Sequence, residues 1–100
     1  MKATVYHEYG GPEVLRYTDV PTPKLEPGEV LVKVHAVSIN AFDLMAREGR
    51  YRPNRAFPHI LGSDFGGEVA EIEANAGVPF KIGQRVTAWW VVPCWRCEQC

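Results

Sequence analysis

The sequence has no cysteine before residue 94, no run of lysines and arginines, no apolar stretch long enough to cross a bilayer, and no internal repeat or low-complexity segment. Each absence excludes something. A helical span needs ~20 continuous apolar residues, and nothing here approaches that, the segment after Met1 included. Lysine and arginine (11) balance aspartate and glutamate (12), with no basic stripe of the kind a phosphate backbone demands, so nucleic acid is not an expected partner. Disulfide frameworks join distant segments through even numbers of cysteines, whereas these three fall within residues 94–100, and a reducing, cytoplasmic setting is expected. The G-x-G-x-x-G dinucleotide fingerprint is absent too: "GSDFGG" has the wrong spacing and runs into a strand, not a helix.

What is present is β-rich. At 100 residues the chain suits one folding unit and not a core plus a separate cofactor domain. Residues 2–6 predict a strand, "EYGGPE" a turn, and residues 14–20 the second arm of a hairpin. Residues 21–29 carry three prolines, which remove backbone donors and predict an extended connection. "EVLVKVHAVSIN" (29–40) is the strongest strand, apolar on both faces, and so predicts a central one. Asn40, with Asp43 three residues on, is an N-cap with an acidic first turn before a short helix ended by Gly49. Residues 49–59 read as an exposed loop, residues 60–73 as a bent or bulged strand, and residues 81–92 as a turn at Gly83 followed by a strand. Strands outnumber helices and βαβ units are missing, so the fold class is mainly β with one or two short helices (α+β), a barrel or sandwich-like unit.

The chemistry-bearing cluster is "PCWRCEQC". Cys94, Cys97 and Cys100 repeat Cys-x-x-Cys spacing, which delivers three thiolates from one loop to a tetrahedral metal. Zinc is favoured provided a fourth ligand exists. A redox pair expects a helix start after a βαβ pattern, which is missing, and an iron–sulfur cluster uses thiolates at comparable spacing, so spacing alone does not separate it from zinc. His7, His35 and His59 are too dispersed to suggest a metal site, and Trp89, Trp90 and Trp95 read as covers of core edges beside the loop.

In the order in which they occur, "GPEVLRYTDVPTPKLEPGEVLVKVHAVSINAFDLMAREGRY", "PHILGSDFGGEVAEI", "KIGQRV" and "CWRCEQC" resemble the N-terminal part of the medium-chain dehydrogenases/reductases, the superfamily of zinc alcohol dehydrogenases and quinone oxidoreductases. The resemblance implies that residues 1–100 are an incomplete GroES-like, partly open β-barrel of a catalytic domain, with a Rossmann domain for NADP or NAD beyond residue 100. It implies a structural zinc on Cys94, Cys97, Cys100 and a later fourth cysteine. In the zinc alcohol dehydrogenases a second, catalytic zinc uses a cysteine at the end of the long strand and a histidine in Gly-His-Glu; here those positions hold Asn40 and Ser63, poor zinc ligands.

"SINAFDLMAREGRY" and "GSDFGG" are instead similar to the quinone oxidoreductase branch, with Ala41 in place of that branch's proline and with structural cysteines that most of the branch lacks. The implied activity is direct hydride transfer from a nicotinamide cofactor to a small carbonyl, enone or quinone, the isolated segment being inactive and the full-length protein a homo-oligomer. Asn40 and Tyr51 are then the candidate catalytic residues, and Asn40, Ala41, Phe42, Asp43 and Leu44 the candidate cofactor-cleft residues. Asn40 is expected to donate its amide to a substrate or cofactor oxygen, and Tyr51 to orient a carbonyl or donate a proton. Ser63 and Asp64 read first as turn formers. Two alternatives stand beside this: a zinc-dependent alcohol dehydrogenase, and a non-enzymatic, zinc-stabilised binding module.

Overall fold

The computed structural model describes residues 1–51, 56–89, 91–94 and 96–99. Strand β1 (Lys2–Tyr6) alternates tightly enough to bury Ala3 and Val5, and Tyr6 beside them is fully enclosed. It pairs antiparallel with β2 (Arg16–Asp19) in the register Lys2↔Asp19 to Val5↔Arg16, as the hairpin reading requires. Val14 is not in the second arm, however: Pro12–Val14 form a 3-10 turn led by the proline. In that turn Glu13 accepts backbone N–H bonds, which hold its carboxyl below the usual range: its own is the larger influence, and Gly11 donates at 2.8 Å. The proline-rich connection carries no strand or helix.

Strand β3 (Val30–Ser38) leads into helix α1 (Ala41–Arg47), and the chain returns through β4 (His59–Ile60) to the long strand β5 (Asp64–Ile72) and then β6 (Arg85–Ala88). Two open three-stranded sheets result, ordered β2-β1-β4 and β3-β5-β6. Among the described residues, then, β5 is the central strand of its sheet and β3 lies at the edge, contrary to the reading of β3 as central. Apolarity on both faces of a strand reports what covers its faces, not how many neighbours it has along its hydrogen-bonding edges, and here Val34, Val37 and Ile39 are left more than half exposed. His59, expected in the loop, pairs with Tyr6.

The β3–β5 ladder slips register between Val34 and Ala36, which puts His35 opposite no residue, and slips again between Leu31 and Val32. These register shifts agree with the reading of residues 60–73 as a bent or bulged strand. Gly67 leaves no room for a side chain against β3: a Cβ there would run into the Lys33 carbonyl oxygen and come within 2.9 Å of Val32 Cγ1.

The molecule measures 40 × 36 × 20 Å with a radius of gyration of 15.0 Å, above the ~13 Å of a compact 100-residue domain. Among the described residues the fully enclosed side chains are few, chiefly Tyr6, Val5 and Val69, while Trp89, expected to cover a core edge, is 66% exposed. Trp90 and Trp95 lie outside the described residues. No helix among the described residues is long and apolar enough to cross a membrane.

Candidate active site at the β3–α1 junction

A seven-residue helix is too short to hold itself together in water, so its ends must be tied to something. At its N-terminus Asn40 adopts extended backbone and Asp43 accepts the Asn40 backbone N–H at 2.8 Å, the reverse half of a capping box. At its C-terminus the Gly49 N–H reaches the Ala46 carbonyl at 3.1 Å and the Arg50 N–H the Met45 carbonyl at 2.9 Å, the paired bonds of a Schellman ending. The N-cap and the Gly49 stop are both as the sequence suggests.

Two charged side chains among the described residues are buried, Asp43 and Arg47, and both belong to α1. Arg47 Nε donates to the Gly10 carbonyl at 3.0 Å, and the Gly10 N–H returns a bond to the Arg47 carbonyl at 3.1 Å, so the turn after β1 grips the end of the helix. Asp43 faces the other way. Its two carboxylate oxygens accept the Ser63 hydroxyl at 3.1 and 3.2 Å. The neighbouring Asp64 accepts the Asn40 side-chain Nδ2–H at 2.8 Å, with Ser38 Oγ at 3.5 Å from the same oxygen and 3.4 Å from Asn40 Nδ2.

Five polar residues, from β3, α1, β5 and the positions just before α1 and β5, thus interlock. Gly62 brings Ser63 and Asp64 there: its φ of +101° is a conformation side-chain-bearing residues rarely adopt, and a Cβ would stand 2.6 Å from Val37 Cγ2. Ser63 and Asp64 turn the chain, as expected, but their side chains also bond the junction. The signal for this was their match to the Gly-His-Glu position, which the turn-forming tendency of Ser and Asp masked.

Of the other candidates, Ala41 and Leu44 are exposed on the first turn of α1, Phe42 is half-buried, and Asp43 lies beneath them. Tyr51 is not a loose surface aromatic: it is half-buried, its ring edge-on to Phe42 with centroids 4.4 Å apart. The junction therefore brings residues 40–44 and Tyr51 into one neighbourhood.

The cysteine loop follows β6. Cys94 and Cys97 are exposed, with their sulfurs 3.3 Å apart. Two thiolates on one tetrahedral zinc, with Zn–S of ~2.3 Å, stand about 3.8 Å apart. Small rotations of two exposed side chains close that difference, so these two residues fit two corners of a zinc site. Cys100 lies outside the described residues, and among those described no group of three or more metal-binding side chains forms.

Two open antiparallel sheets, with a linked set of polar residues where the long strand enters a short helix, define a GroES-like β unit of the kind that forms part of an oxidoreductase catalytic domain. The chain belongs to the alcohol dehydrogenase GroES-like domain family of the medium-chain dehydrogenases/reductases, the family matching residues 26–100. It is 38% identical over 87 residues to the human quinone oxidoreductase, covering 86% of this chain and 26% of that protein. The structure of an NAD-dependent alcohol dehydrogenase superposes with a TM-score of 0.92 at 37% identity, covering all of this chain and 29% of that one. A mycobacterial structure solved with NADPH gives a TM-score of 0.79 at 35% identity, over 89% of this chain and 27% of that one. The chain therefore spans about a quarter of the length of these relatives.

Proposed function

We propose that this chain supplies the substrate-side segment of an NAD(P)H-dependent oxidoreductase of quinone oxidoreductase or enone reductase type, in which hydride passes to the substrate without a catalytic zinc. The observation that carries the proposal is the donor set at the junction. Where the zinc alcohol dehydrogenases place a thiolate and an imidazole, this chain has the Asn40 amide bound to Asp64 at 2.8 Å and the Ser63 hydroxyl bound to Asp43 at 3.1 Å. An amide and a hydroxyl are weak zinc ligands, and both are engaged by carboxylates.

NADP or NAD, when bound, supplies the hydride and is held mainly by a domain beyond these residues. Residues 40–44 form the wall it faces, with Ala41 and Leu44 giving apolar surface and Asn40 the polar contact. Tyr51, steadied by Phe42, directs its hydroxyl at the substrate oxygen, where negative charge develops as hydride arrives at carbon, and donates a hydrogen bond or the proton. Cys94, Cys97 and Cys100, with a fourth cysteine further on, hold a structural zinc that shapes their loop and takes no part in the reaction. The substrate is a small carbonyl, enone or quinone, the full-length protein a homo-oligomer in the cytoplasm, and the isolated segment inactive.

The superposition of an alcohol dehydrogenase over the whole chain favours a second reading, a zinc-dependent alcohol dehydrogenase. Metal analysis of the enzyme from its full reading frame, paired with NADPH-oxidation assays on quinones and enones, separates the two. About one zinc per subunit, with activity that survives removal of exchangeable metal, is expected. About two zincs, with activity lost on chelation and restored only by zinc, refutes the proposal.

A further inference from the structure

Asn40 was expected to offer its NH2 group to a ligand, and the hydrogen bonds around it point the other way. One carboxylate oxygen of Asp64 lies 2.8 Å from Asn40 Nδ2, and the Ser38 oxygen lies 3.4 Å from the same nitrogen. An ionised carboxylate only accepts, so the amide must turn its NH2 toward Asp64. Both hydrogens of that NH2 are then engaged within the protein.

The backbone of Asn40 is fixed independently, because its N–H is held by Asp43 at 2.8 Å, and Asp43 is in turn held by Ser63. Neither the main chain nor the side chain of Asn40 is left to choose its own orientation. The carbonyl end of the amide borders the Asp43 N–H in the capping box, but that N–H donates to the Asn40 main-chain carbonyl at 3.0 Å, so the side-chain oxygen keeps a lone pair for another donor.

From this geometry we infer that Asp64 is a positioning residue for Asn40: it locks the amide so that the carbonyl oxygen faces the cleft and accepts a hydrogen bond from the carboxamide NH2 of the nicotinamide ring. The inference rests on the proposed reading of Asn40 as a cofactor-facing residue. It adds the polarity of that contact and the residue that sets it. The other Asp64 oxygen, Oδ1, is buried and has no hydrogen-bond partner among the described residues, so Asp64 makes its useful contacts toward Asn40 and Ser38 alone.

The test compares binding of NADPH with binding of its reduced 3-acetylpyridine analogue, which replaces the carboxamide NH2 with a methyl group. Dissociation constants come from quenching of tryptophan fluorescence in the full-length enzyme. Wild type is expected to prefer NADPH by roughly three- to tenfold, the worth of one hydrogen bond. Asn40→Ala is expected to bring the ratio of the two constants near one. Asp64→Asn keeps the shape but can pair with either end of the Asn40 amide, so it is also expected to erode the preference. The double variant is expected to lose no more than Asn40→Ala alone, because the two residues act through one contact. An unchanged preference in both Asp64→Asn and Asp64→Ala, with the preference lost in Asn40→Ala, overturns the role of Asp64 and leaves Asn40 in place. An unchanged preference in Asn40→Ala overturns the reading of Asn40 itself, and the positioning role with it.

Discussion

Replacing Asp43 with asparagine alters almost nothing in size and a great deal in charge. Asp43 is 5% exposed and uses its carboxylate for the Asn40 N–H at 2.8 Å and the Ser63 hydroxyl at 3.1 and 3.2 Å. An asparagine carbonyl oxygen can take over at Oδ2, and its NH2 can donate to Ser63 Oγ, so both contacts survive as neutral bonds. Hydrogen bonds to a charged group contribute about 1.5–3 kcal/mol and neutral ones about 0.5–1.5, so two conversions cost roughly 2 kcal/mol. Loss of the negative charge from the first turn of α1 adds about 0.3–1 kcal/mol. Asp43→Ala leaves two donors without their acceptor in a buried place and is expected to cost about 3–4 kcal/mol. Urea unfolding of the full-length protein, read from midpoints at constant m-value, measures both. If Asp43→Asn unfolds at the wild-type midpoint, or if Asp43→Ala is no worse than Asp43→Asn, the carboxylate does not hold the junction together and the reasoning fails.

Two further outcomes follow from the same framework. Gly67→Ala pushes a methyl group against the Lys33 carbonyl oxygen and Val32 Cγ1 in the β3–β5 pair; it is expected to cost about 1–3 kcal/mol in the same unfolding assay, as overpacking does. Cys97→Ser removes one of two cysteines whose sulfurs lie 3.3 Å apart. If the proposed structural zinc is held there, the purified full-length variant is expected to lack the zinc, about one per subunit by mass spectrometry, that the wild type carries, and to melt lower, while Asn40→Ala keeps the metal.

The local elements were legible in the sequence because local chemistry decides them. Alternation sets β1, the Asn40–Asp43 spacing sets the start of α1, and Gly49 sets its end; all three are where the pattern puts them. Neighbour relations were harder to read. The valines of β3 announce two apolar faces, yet among the described residues its hydrogen-bonded partner strand is β5 alone, and nothing in periodicity counts edges. The distant partners at the junction were hidden for a related reason: Ser63, which bonds Asp43, and Asp64, which bonds Asn40, lie twenty and twenty-four positions from them, and their intrinsic tendency to form turns supplied a sufficient local explanation. His59 shows the same effect at smaller scale, since two residues of pairing with Val5 and Tyr6 carry no periodicity to detect.

Burying Asp43 and Arg47 in one short helix is hard to justify by stability alone, because apolar residues of similar volume commonly serve a core as well or better. What the charged pair provides is direction. Asp43 pulls the start of α1 toward Ser63, and Arg47 pulls its end onto Gly10, so the helix has one axial position and Asn40 is delivered at a fixed place above it. Stability and geometry then separate in a measurable way. Arg47→Met fills similar space but leaves the Gly10 carbonyl without its donor, at a cost of about 1–3 kcal/mol. If Arg47 fixes position, this variant should also weaken NADPH binding several-fold in folded protein well below its melting temperature, although Arg47 is buried and lies at the far end of the helix from Asn40. Arg47→Lys, which retains a cation able to reach a carbonyl, should recover part of that affinity. A variant that melts lower yet binds NADPH as tightly as wild type would show that the helix finds its place without the arginine, and that the buried charge serves the fold only.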